Sequence, residues 1–385
     1  MVRRLRRNDI VTLSVAFIFI FFGASVQQVV VPVLQDAHAD WDSGRVRTAV
    51  LTAVYLSFAV WRGLIGFVLR ALGGYRTTVL GAAIYAVFFA SIYHAPSPLA
   101  LTLLAILWGF GAACLWTGAS AAVLNASRST HFGRSAGLFN SGTHLGYALG
   151  VFALVGVGHQ CGYRASEWLI VPATVIGALI TTRISREQPR TERPNLALAA
   201  RVLRSPRGAC VALFMLVSSS AYGIMLGPFV DQLSATHRMD ALAIAGLYAL
   251  ARLAMTYLGG AISDGVGRAS VIMGGFALAA VGLLTGAAMP GSLAAMMVCV
   301  ISLGLQSEVV PAAGLALIGD TTEAARRPLV HGLLFAWRDL GVVLALQLGA
   351  LLPATGASYL TVFGVLFATC ALLASRLRGI SGEGW

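Results

Sequence analysis

A chain of 385 residues with 58% hydrophobic and 11% charged content falls far below the roughly one-quarter charged content of a soluble domain, so its main solvent is lipid. The net charge of +12 would point to nucleic acid in a soluble protein; here it has to be explained by topology, and a nucleic-acid partner is excluded. The five cysteines, Cys114, Cys161, Cys210, Cys299 and Cys370, form no CxxC spacing, which leaves no disulfide framework, metal site or other bound cofactor to expect.

A bilayer-spanning helix needs about 20 mostly apolar residues. Such stretches fall at 10–33, 47–69, 77–94, 99–124, 134–157, 167–183, 208–230, 241–262, 269–289, 293–318, 329–352 and 358–375, twelve in all. The first follows MVRRLRR and runs to Val33 without a short apolar core and small-residue cleavage site, so it reads as a retained helix. After the sixth, residues 184–207 are basic and contain proline, a linker with a short interfacial helix around Leu196–Leu203.

Arginine placement sets the topology. With both termini inside, the inner loops hold most of the arginines, from Arg3, Arg4, Arg6 and Arg7 to Arg376 and Arg378. The outer loops hold only Arg45, Arg47, Arg164 and Arg238, beside Asp36, Asp40, Asp42, Glu167 and Asp240. That is the positive-inside asymmetry, and an odd number of crossings would destroy it. The fold class follows: an all-α membrane protein of twelve transmembrane helices in two pseudo-symmetric six-helix bundles, residues 1–183 and 208–385, joined by the linker 184–207. The halves repeat at an offset near 195: Gly137 and Gly146 meet Gly332 and Gly341, Gly109 meets Gly304, and Asn125 meets Asp320. Parallel repeats of this kind place a substrate site at their interface.

Gly260-Ala-Ile-Ser-Asp264-Gly-Val-Gly267-Arg268, between segments 8 and 9, resembles the G-x3-D-x2-G-R loop of the major facilitator superfamily. With the twelve segments and the basic central loop, the resemblance covers essentially the whole chain. It implies a multi-pass protein of the cell membrane, of the bacterial inner-membrane kind, that is a transporter and not an enzyme. It also implies a gate in which Asp264 faces the start of segment 5, with Arg134 as its partner. The first-half copy carries Arg70 where the Asp belongs, between Gly66 and Gly73, so a symmetric gate is not expected. Gly137, Gly142, Gly146 and Gly150 of segment 5 lack the proline of the antiporter signature, and close helix packing explains them equally well.

Five charges lie at bilayer depth: Arg62, Arg252, Glu308, Arg338 and Asp339. Each costs about 2.5–3.5 kcal/mol to insert, so each is expected to border water or a partner. The resemblance implies that segments 1, 2, 4, 5, 7, 8, 10 and 11 line the cavity, and all five charges fall on that set. Arginine forks bind carboxylate or phosphate with paired hydrogen bonds. Arg252, Arg338 and Arg62 are therefore candidate anion ligands, with Gln28, Trp116, His144 and Tyr222 as further lining residues and Glu308 or Asp339 as proton carrier. Arg252 and Arg338 are similar to the paired basic residues of the oxalate–formate and monocarboxylate branches of the superfamily. The alternative is that Glu308 with Arg252 or Arg338, and Asp339 with Arg62, are internal ion pairs that orient helices.

No nucleotide-binding G-x4-G-K-S/T loop is present, so a gradient would drive any uphill movement. Three functions are open to such a chain. One is a secondary transporter of a small solute, best an organic anion, working as a monomer by alternating access and coupled to a proton or other ion. Another is efflux of an apolar drug or metabolite; the last is a non-transporting membrane protein that binds a partner.

Overall fold

The computed structural model describes residues 2–28, 30–128, 131–186, 196–237, 241–352 and 355–376. Arg190, Arg193, Arg238, Asp240 and Arg378 lie outside them, as do residues 187–195 of the predicted linker. The described residues are helical and connected by short loops: α1 (Val2–Ala24), α2 (Val30–Ala37), α3 (Ser43–His94), α4 (Pro98–Ala126), α5 (Phe132–Cys161), α6 (Glu167–Thr181) and α7 (Leu196–Arg204) come first. They are followed by α8 (Pro206–Leu226), α9 (Pro228–His237), α10 (Ala241–Val266), α11 (Arg268–Ala288), α12 (Leu293–Thr321), α13 (Arg327–Leu351) and α14 (Ala357–Arg376). Among the described residues, 11 stretches are long and apolar enough to cross a membrane. Many side chains on their outward faces are apolar and uncovered, among them Leu99, Trp168, Leu179, Val281 and Leu372, as a lipid solvent requires.

Local chemistry sets the boundaries. Ser97 and Ser205 cap their helices by accepting from Ala100 N (3.2 Å) and Gly208 N (3.0 Å), each with a proline in the first turn. The predicted first segment breaks: Ser25–Gln28 form a 3-10 turn between α1 and α2. The seventh breaks likewise at Gly227, where Pro228 has no N–H to continue α8.

The 52-residue α3 holds the predicted segments 2 and 3 and is two helices meeting at Gly73, whose φ of 76° is non-helical. At about 1.5 Å per residue α3 would otherwise be far longer than one bilayer is thick. Gly267, between α10 and α11, has the matching φ of 89°. Both sit in the left-handed region that glycine enters without strain, and they occupy equivalent places in the two loops aligned by sequence.

Two apolar clusters form the interior. One is built mainly from residues before Ile184 and the other mainly from residues after Val202. Small residues bring helices close: a Cβ at Gly142, Gly146 or Gly150 of α5 would collide with backbone of α1 or of the turn after it. That is the packing role weighed for them. Across the two parts of the chain, α5 packs on α10, and α3 on α13.

Candidate functional site

The five intramembrane charges converge where α3, α5, α10, α12 and α13 meet. Arg252 on α10 donates from Nε (2.8 Å) and Nη2 (2.5 Å) to Oε1 of Glu308 on α12. The other oxygen of Glu308, Oε2, lies 2.5 Å from His144 Nε2 on α5. Glu308 thus ties its neighbour Arg252 to a histidine from the first part of the chain. Pro311 follows it by three residues inside α12, where its ring removes a helical hydrogen bond.

Arg62 on α3 is fully buried, lies 3.9 Å above the Phe58 ring, and donates from Nη1 to the Phe335 carbonyl at 3.1 Å. Its Nε stands 3.3 Å from Asp339 Oδ2 on α13, without the alignment of a hydrogen bond. The pairings considered from sequence, Glu308 with Arg252 and Asp339 with Arg62, are both formed. Arg338 differs from the other two arginines. Among the described residues it meets no carboxylate at ion-pair distance, and its guanidinium lies 5.9 Å from the Trp116 ring centre.

A cavity of about 60 Å³ lies between the two parts of the chain. It is lined by Phe21 and Gln27, by Val54, Tyr55, Phe58 and Tyr85 of α3, and by Trp108, Ala112 and Trp116 of α4. Thr143, His144 and Tyr147 of α5, Tyr222, Arg252, and Arg338, Asp339 and Val342 of α13 complete it. A second space of about 20 Å³ is bordered by Arg62, Ser120, Asn140, Glu308 and His331. Trp116, His144 and Arg338 line both and form the partition. Around Arg252 stand Tyr222, Tyr248 and Tyr147, with ring centres 4.7, 5.3 and 5.6 Å from the guanidinium. This is cation–π geometry, and it supports a desolvated cation.

Of the candidate binding residues, Arg252, Arg338, Trp116, His144 and Tyr222 line the main cavity, and Arg62 borders the smaller one. Gln27 rather than Gln28 lines it and accepts from Tyr55 Oη at 3.0 Å; the 3-10 turn at 25–28 sets that phase. Tyr85 lies in segment 3, outside the set expected to line the cavity, yet reaches it between Phe21 and Trp108. Sequence reasoning also passed over Tyr147, Tyr248 and His331. The available signal was a polar aromatic within an apolar run.

The glycine-loop motif sits at the end of the bundle marked by Gly73 and Gly267. Gly260 lies within α10, and Asp264 near its end accepts from the main-chain N–H of Gly133 (3.1 Å) and of Arg134 (2.9 Å) at the start of α5. The expected Arg134 contact therefore runs through its amide; its side chain is exposed. A carboxylate at a helix N-terminus meets unsatisfied N–H groups and the positive end of the dipole, so a guanidinium is not needed there. Arg268 holds Asp264 in place, donating to its Oδ1 at 2.5 Å and to Asp320 Oδ2 at 3.0 Å. In the first-half loop Arg70 is exposed and forms no ion pair among the described residues. On that side Arg327 donates to Asn125 Oδ1 instead, at 3.2 Å.

Arg47, counted with the outer loop from sequence, lies inside α3, is buried, and donates to Asp231 Oδ2 on α9 at 2.5 Å. It stands 26 residues from Gly73 along α3, about 39 Å away. Gln347 on α13 donates to Thr52 Oγ1 at 2.8 Å in the same region. Contacts between the first and second parts of the chain therefore lie at both ends of the cavity.

Comparison with known proteins agrees with this architecture. The sequence matches the family model described as Major Facilitator Superfamily over residues 13–230 and again over 208–381. No curated protein matches the sequence. Among solved structures, the human organic anion transporter MFSD10 (TETRAN) superposes with a TM-score of 0.80 at 13% identity, over 96% of this chain and 99% of its own. The E. coli fucose:proton symporter FucP gives 0.74 at 13% identity, over 98% of this chain and 100% of its own. A bacterial homologue of the iron transporter ferroportin, in an outward-facing state, gives 0.73 at 14% identity, over 96% and 98%. At such identities the likeness is one of fold.

Proposed function

The chain belongs to the major facilitator superfamily, and from that premise we propose that it is a secondary active transporter of a small organic anion, working by alternating access. The observation that carries the anion reading is Arg338. Three arginines and two carboxylates meet at the site, and the contacts pair Arg62 with Asp339 and Arg252 with Glu308. Arg338 is left over, half-buried and facing both cavities. An uncompensated cation at bilayer depth is costly, and an anionic solute would offset it. Thr143 Oγ1 and Trp108 Nε1, buried polar atoms without a partner, belong to residues lining the same cavity and would gain one. MFSD10, described as an organic anion transporter, shares the fold.

Coupling falls to Glu308. Its two oxygens join α10 and α12 to α5, so protonation would release Arg252 and His144 together. Asp339 has the same standing toward Arg62 across α3 and α13. In this reading the chain crosses the cell membrane twelve times with both termini in the cytoplasm. The bundles are 1–183 and 208–385, and the monomer is the working unit. The test is flux of a panel of small organic anions into proteoliposomes. Saturable uptake abolished by Arg338→Ala supports the reading, and undiminished uptake in that variant removes it.

A further inference from the structure

The geometry points to a particular substrate class, resting on the anion reading just given: a monocarboxylate of about four to six non-hydrogen atoms with an apolar tail. Three features of the site converge on it.

Charge is the first. Beside Arg62, Arg252, Arg338, Glu308 and Asp339, neither cavity is lined by another Asp, Glu or Arg. With Glu308 and Asp339 both ionised and two of the arginines paired with them, one positive charge is left, and a single negative charge closes the balance. A dianion would leave a net negative site, and a neutral solute a net positive one. Either residual charge is penalised in a medium that solvates ions poorly.

Size is the second. A single water needs a cavity of about 10–15 Å³, so one of about 60 Å³ suits a small solute, of about four to six heavy atoms at most. That spans acetate to butyrate. Succinate is larger as well as doubly charged, and benzoate is larger still.

Wall chemistry is the third. Phe21, Val54, Phe58, Ala112 and Val342 form the apolar part of the cavity lining. The Phe21 and Trp116 rings meet edge-on at 5.2 Å and 70°. Such side chains offer an alkyl tail dispersion contact.

The experiment uses the full chain in proteoliposomes loaded with unlabelled propionate, measuring counterflow of labelled propionate. Competitors are propionamide, nitrate, succinate and benzoate. Propionate and butyrate are expected to compete at least about tenfold better than each of these. Trp116→Ala, and the milder Val54→Ala, widen the wall and are expected to move preference toward benzoate at the expense of acetate. Equal competition by succinate or propionamide overturns the charge argument. Equal competition by nitrate overturns the tail, and benzoate preferred by the unaltered protein overturns the size. In each of those cases Arg338-dependent anion flux would survive, so only this inference falls. If no anion is carried at all, the proposed function falls with it.

Discussion

The imidazole of His144 on α5 meets the carboxylate of Glu308 on α12 at 2.5 Å, while the second oxygen of that carboxylate is held by Arg252. One side chain thereby spans the interface that alternating access would have to open. Removing its charge while keeping its shape breaks both links, since an amide cannot serve as anion to a guanidinium. In Glu308→Gln, uptake driven by an imposed pH gradient is expected to fall to the level without a gradient, and anion counterflow to persist. Uptake that still follows the pH gradient as in the unaltered protein would show that the coupling group lies elsewhere.

The three buried arginines are expected to differ in what they do for stability. Arg62 and Arg252 each face a carboxylate, so truncating either leaves a buried anion without its counter-charge, which costs about 3–5 kcal/mol. Arg338 has no such partner, and its removal relieves the site of an unbalanced cation. Thermal unfolding in detergent should therefore show Arg62→Gln and Arg252→Gln melting below the unaltered protein and Arg338→Gln at or above it. A drop for Arg338→Gln as large as the others would mean that it is structurally paired.

Much of this arrangement was legible because charge inside an apolar run stands out. Arg62, Arg252, Glu308, Arg338 and Asp339 announced themselves, and the helices that bear them do meet. The pairing of Asp339 with Arg62 was legible, but whether Glu308 takes Arg252 or Arg338 was not. Residues 338 and 339 differ by about 100° around one helix, and only tertiary packing decides which way Arg338 faces. Gln28 was preferred over Gln27 because helical phase cannot be read through a 3-10 turn. Hydropathy alone places Arg47 in a loop, but helix ends are set by caps, and Asp42, which accepts from Arg45 N at 3.1 Å, starts α3 earlier. The Asp264 contact was foreseen in position but not in kind, since a sequence shows side chains and hides the unsatisfied amides of a helix start.

Gly73 and Gly267 give a cleaner test of backbone than of packing. A Cβ added at either would meet nothing within 4 Å. The φ values of 76° and 89°, with ψ of 159° and 148°, are the remaining obstacle, costing an L-residue about 1–3 kcal/mol. Gly73→Ala and Gly267→Ala are each expected to lower the melting temperature, and the corresponding Asn variants to lower it about as much, because with ψ of 159° and 148° the backbone lies in a region that only glycine enters readily. No loss for Ala, or a loss largely rescued by Asn, would contradict the turn geometry.

Asp264 and Arg47 hold opposite ends of the cavity, so their removal should act in opposite directions. Asp264 caps the N-terminus of α5 from α10, a contact of the kind that contributes about 0.5–2 kcal/mol. Arg47 ties α3 to α9 through Asp231. If the protein exchanges between forms open at either end, a bias of about 1.4 kcal/mol shifts their ratio about tenfold. Two reporter cysteines read that ratio: Asn140→Cys in the smaller cavity and Thr52→Cys beside Gln347. They are placed in a Cys161→Ser background, since Cys161 is an exposed native thiol. Asp264→Ala is expected to speed maleimide labelling of the reporter at 140 and slow that at 52, and Arg47→Ala to do the reverse. Both variants moving both reporters in the same direction would mean that the two contacts stabilise the fold as a whole and gate neither end.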